Sequence, residues 1–83
     1  MKIKVTVTRD NGADYLPQTV KRLVSLAEAE NIVTFAILCA VGASDSAFIA
    51  AEMRGTLEKR SATAWGWNDN LRRVTVRCEK VAA

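Results

Sequence analysis

The sequence predicts a small α/β (α+β) domain of order β-α-β-α-β-β, with two helices packed on one face of a four-stranded mixed sheet. Three observations lead there: strict alternation at the N-terminus, two stretches whose apolar residues recur at helical spacing, and two alternating runs at the C-terminal end joined by polar residues. With 83 residues the chain is read as one domain, 1–83. A chain of this size buries about 60 to 65% of the surface its unfolded form exposes, so one modest core is expected and little room for a deep substrate cavity.

The opening Lys-Ile-Lys-Val-Thr-Val-Thr places Ile3, Val5 and Val7 on one face and Lys2, Lys4, Thr6 and Thr8 on the other, the pattern of a half-buried strand. Asp10-Asn11-Gly12 is a turn signal. Asp14 followed by Pro17 can open a helix, and Val20, Leu23, Val24 and Ala27 recur at three- and four-residue steps to about Asn31. Residues 32–41 form a continuous apolar run with one Thr, which suits either a buried strand or an extension of that helix. Its β-branched and aromatic start, Ile-Val-Thr-Phe, and the Gly42 stop favour a strand at the centre of the sheet. A parallel β-α-β unit with a right-handed crossover follows from that choice.

The segment Gly42-Ala43-Ser44-Asp45-Ser46 supplies helix-capping side chains, and Phe48, Ile49, Met53 and Leu57 line one side of a second helix running to about Arg60. Gly55 in its middle is expected to permit close packing on the sheet. Thr63, Trp65 and Trp67 then alternate with Ala62, Ala64 and Gly66, Asn68-Asp69-Asn70 turns the chain, and Arg73, Thr75 and Arg77 alternate with Val74, Val76 and Cys78. Leu23, Phe35, Ile37, Ile49, Met53, Leu57 and Val76 are the expected core. The order of elements is similar to that of the Alba chromatin proteins and of the C-terminal domain of bacterial translation initiation factor three, and the likeness implies a nucleic-acid binder; it rests on element order and on no residue motif.

Composition narrows the chemistry. There is no His, so the commonest general base, Ser-His and Cys-His nucleophile pairs and most mixed zinc sites are absent. Two cysteines cannot make a four-thiolate site, and Cys39 and Cys78 both read as small buried hydrophobes. The acids show no metal-loop spacing, and Asp45 places negative charge where an anion would sit at the Gly42–Ser46 segment. The expectation is a non-enzymatic protein with no cofactor, no metal and no small-molecule substrate. The longest apolar run is too short to cross a bilayer and Lys2 and Lys4 interrupt any leader-like pattern, which points to a cytoplasmic protein.

Charge is segregated. Residues 1–9 carry three bases and no acid, residues 71–83 carry four bases and one acid, and the middle holds five bases against eight acids, so the excess of +3 lies wholly in the terminal segments. Solvated strand faces with basic edge gatekeepers account for this at least as well as a phosphate-binding stripe.

Function turns on the tryptophans. A three-residue turn at 68–70 sets Trp67 against Leu71 and Trp65 against Arg73, on one sheet face with Arg77; a two-residue turn slips the pairing by one and sends Trp65 to the core with Val74. On the first register, the helix-free sheet face presents Lys2, Lys4, Thr6, Trp65, Trp67, Arg73 and Arg77 around Ile32, Ala36 and Leu38. An apolar centre with Trp and Arg has the composition of a protein interface. The expected site is therefore Trp65, Trp67, Arg73, Arg77, Lys2, Lys4 and Leu38, and the expected function a protein-binding regulator or inhibitor whose partner is another protein or a second copy in a homodimer. The alternative is a single-stranded RNA or DNA binder, with bases stacked on the rings and phosphates on Arg and Lys.

Overall fold

The structure, a computed structural model, describes residues 2–9, 18–59, 62–69 and 74–81. It comprises β1 (Lys2–Arg9), β2 (Gln18–Val24), α1 (Leu26–Val41), α2 (Ala43–Lys59), β3 (Ala64–Asp69) and β4 (Val74–Val81). The strands form one antiparallel sheet in the order β2-β1-β4-β3. Two helices and four strands are as expected; their order, β-β-α-α-β-β, is not. The likeness in element order to the two nucleic-acid-binding families lapses with it.

The two corrections are linked. Residues 18–24, expected to be helical, pair with β1 from Arg9↔Gln18 to Ile3↔Val24. Residues 32–41, expected to be the central strand, belong to α1. With no strand between the helices there is no parallel crossover, and the sheet is antiparallel throughout rather than mixed. The helix begins at an N-cap: Ser25 Oγ accepts from the Glu28 N–H at 3.2 Å, and the same hydroxyl donates to Glu28 Oε1 at 3.3 Å. Within it Ala29, Val33, Ala36 and Ile37 fall on one buried stripe. Thr34 is accommodated by donating its hydroxyl to the Glu30 carbonyl at 2.8 Å.

A single residue, Gly42, joins the helices. Its φ of +86° is a conformation that side-chain-bearing residues rarely adopt, and its N–H donates to the Leu38 carbonyl at 2.9 Å to close α1. The chain then folds back, so that Arg54 of α2 meets Glu30 of α1 at 3.4 Å and Glu58 at 3.6 Å. Gly55 has nothing within 4 Å of where a Cβ would lie, so close packing is not its role.

The core lies between this helical hairpin and the sheet: Ile3, Val5 and Val7 from β1, Val74, Val76 and Cys78 from β4, Val24, the α1 stripe, and Ala50, Met53 and Leu57 from α2. Ile37, Met53, Leu57 and Val76 are buried as expected, and Ile49 is partly so. Leu23 and Phe35 are corrections, at 57% and 71% exposed. Leu23 lies opposite Lys4, on the helix-free face, and Phe35 points off the α1 stripe. The Asp10-Asn11-Gly12 turn, the Pro17 helix start and the Cys39 side chain lie outside the described residues. Among those residues no helix is long and apolar enough to cross a membrane.

Candidate functional site

The β3–β4 register decides what the tryptophans do. Asp69 pairs with Val74, Asn68 with Thr75, Trp67 with Val76, Gly66 with Arg77 and Trp65 with Cys78. Asn68 and Asp69 are thus strand residues rather than turn residues, and the connection is longer than either expected turn. Directly paired residues share a face, so both rings lie on the helix side with Val76 and Cys78, while Arg77 points to the open side with Gly66. The expectation that Trp65, Trp67 and Arg77 share the open face is corrected on this ground.

The rings are only half-buried. They pack against the core from a strand that, among the described residues, has a paired neighbour on one side. β3 is an edge strand of the described sheet, so both of its faces border one margin of it. A depression of about 460 Å³ there is lined by Trp65, Gly66, Trp67, Thr75 and Arg77 together with Ala64, Asn68 and Val76. Trp65, Trp67 and Arg77 all border this depression, but the rings are directed to the helix side and Arg77 to the open side. The small residues Ala64 and Gly66 line it on the open side. On its wall the Thr75 hydroxyl lies 3.3 Å from Asn68 Oδ1 and donates to it.

Lys2 and Lys4 stand on the open face as expected, exposed, with Lys4 between Leu23 and Glu79 in the register. Arg77 donates from Nε to Glu79 Oε1 at 2.7 Å, which removes part of its charge from that face. Lys21, opposite Thr6, adds a further base that the helical reading of 18–24 missed. The residue types gave no clean signal, because Leu23 shares the open face with Lys21 while Arg22 lies on the helix side with Val20. Leu38 is half-buried on α1, and Ile32 and Ala36 go with it, so the apolar strip expected on the open face is part of a helix. Arg73 lies outside the described residues.

Cys78 is fully buried between Val5 and Trp65 in the register, and desolvation pushes its thiol up to about 11. A thiol held protonated is a poor nucleophile and metal ligand. No group of three or more His, Cys, Asp or Glu able to hold a metal ion occurs among the described residues. What the β3 margin offers is contact chemistry: two aromatic rings, one guanidinium and the edge strand of the described sheet. Comparison with known protein families, characterised proteins and solved structures finds no match, so the functional reading rests on the residues of this chain.

Proposed function

We propose that the chain is a non-enzymatic interaction module that binds a partner protein through the β3 edge, as a regulator or inhibitor would. The observation that carries this reading is the pair of half-buried tryptophans on β3, the edge strand of the described sheet, with Arg77 on the opposite face of the adjoining strand. An extended segment of the partner would add to β3 by main-chain hydrogen bonds, and the rings and guanidinium would select its side chains. Trp and Arg are the residue types that dominate binding energy at protein interfaces.

Single-stranded nucleic acid is the second reading, favoured by Lys2, Lys4 and Lys21 on the open face. It is weakened because the tryptophans stand on the opposite face, leaving no ring on the open strand face among the described residues to stack a base.

Capture from native cell extract, with and without nuclease, tests both. A protein retained after nuclease treatment by the unaltered chain and lost with Gly66→Lys supports the β3 edge. That substitution fills the depression without disturbing the strand, since a Cβ at Gly66 meets nothing closer than the Val76 carbonyl at 3.9 Å. Retention that depends on nucleic acid and falls steeply with salt favours the second reading.

A further inference from the structure

A second groove lies at the other edge of the sheet, on its helix side, between β2 and α1. Val7 and Val20, directly paired, form its floor; Ile32, Phe35 and Ala36 of α1 form its wall; Arg9 and Arg22 complete the lining. It encloses about 300 Å³. Phe35 and Val20 are 71% and 55% exposed, so the apolar lining is bulky and uncovered.

The two arginines bracket that floor. Arg9 follows Val7 by two residues on β1 and Arg22 follows Val20 by two on β2, and the strands run in opposite directions. The Cα atoms therefore sit at opposite ends, about 14 Å apart along the diagonal of the two strands. Arg9 is turned towards α1, one guanidinium nitrogen donating to the Ala36 carbonyl at 3.5 Å. Neither arginine has an acidic partner among the described residues, where the ion pairs use Arg54 and Arg77. Guanidinium groups match carboxylates in a planar two-bond geometry.

We propose that this groove binds an acidic, apolar-centred peptide segment of a partner protein, with a bulky side chain seated on Val7 and Val20 against Phe35 and a carboxylate on each arginine. Charge complementarity selects that occupant. One carboxylate on an alkyl tail engages a single end of the groove, whereas acids on both sides of an apolar residue engage both. A polynucleotide would satisfy the arginines only by laying phosphates over an apolar floor. The groove and the β3 edge are at opposite sides of the sheet, so this proposal does not rest on the other.

The probe is a fluorescein-labelled hexapeptide, Glu-Asp-Leu-Phe-Asp-Glu, titrated with the full chain and followed by anisotropy at about 0.15 M salt, where distant charges are largely screened. Saturable binding is expected, weakened about tenfold or more by Arg9→Gln with Arg22→Gln, and likewise by Phe35→Ser. Lys2→Gln with Lys4→Gln, and Gly66→Lys, should leave it unchanged. A peptide with Gln and Asn for its four acids should not bind. All these positions are exposed, and an unchanged melting temperature confirms that each variant is folded. The proposal is overturned by absent or non-saturating binding, by equal weakening in the Lys2 and Lys4 variant, or by binding that survives loss of both arginines. It is equally overturned if decanoate or a single-stranded oligonucleotide displaces the peptide at lower concentration than unlabelled peptide does, or if the groove is filled by a second copy, seen as a dimer that Phe35→Ser dissociates.

Discussion

β3 and β2 each hang on one inner strand by an antiparallel ladder, yet β3 turns two tryptophans towards the helices whereas β2 offers Val20 and Arg22 to a flank that the helices leave open. The cause is the placement of the helical layer. α1 lies over β1 and β4 and α2 over β3, so the layer is displaced towards β3. Large rings on one edge strand are drawn into the core margin; smaller and charged side chains on the other border a groove. An edge strand's role is thus set by where the second layer stops, more than by its own hydrogen bonding.

The largest test of that comparison is a pair of truncations. Leu57→Ala, beneath the covered part of the sheet, should lower stability by about 2 to 5 kcal/mol, whereas Phe35→Ala at the uncovered flank should change it by about 0.5 kcal/mol or less. Equal shifts in chemical-denaturation midpoint would place Phe35 in the core and close the groove.

Cys78 reports the covered side by pH. Its folded thiol titrates near 11 against an ordinary value near 9, so the protonated form is the one the fold favours. The contribution is complete below pH 9 and is lost as pH rises through 11; at about 1.4 kcal/mol per unit it amounts to about 2 to 3 kcal/mol. Urea denaturation at pH 8 and pH 11 should show this loss in the unaltered chain, and Cys78→Ala should flatten that part of the profile. A profile identical in both would mean that the thiol is solvated and the β3 side is less well sealed.

The smallest expected contrast compares the edges directly. Trp67→Ala should lower stability by about 1 to 3 kcal/mol because a half-buried ring loses its packing, while Val20→Ala should remain within about 0.5 kcal/mol. The Trp67 variant should also lose fluorescence that acrylamide quenches only in part. Reversed magnitudes would exchange the assignments of covered and uncovered edge.

Legibility in the sequence followed the same division. β1 and β4 alternate cleanly because one face is core and the other solvent, and Met53 and Leu57 of α2 repeat at helical spacing, so these were readable. Residues 18–41 were not, for two physical reasons. β2 buries Val24 alone among its residues of known burial, so Val20 and Leu23 carry no inside-outside signal and fit a helical spacing by chance. The β-rich start at 32–35 masked a helix whose better markers were the Ser25 N-cap and the 29, 33, 36, 37 stripe. The tryptophan pairing hung on a connection longer than the polar trio suggested, and one residue of register moves a side chain to the other face. Arg9 and Arg22 could be placed together only once β2 was a strand.

The β1–β4 ladder, which pairs Lys2 with Val81, has a consequence for how the chain acquires its shape during synthesis. The β1–β2 pair and the helical hairpin are local in sequence and can begin to form on emergence, but β1 has its second neighbour only after β4 is made. Until then Ile3, Val5 and Val7 have no Val74, Val76 and Cys78 beside them, and the inner strand of the finished sheet is an open edge. Closing a loop of nearly the whole chain puts this domain among the slower, non-locally paired folds, with its exposure to misassociation concentrated before the last strand arrives.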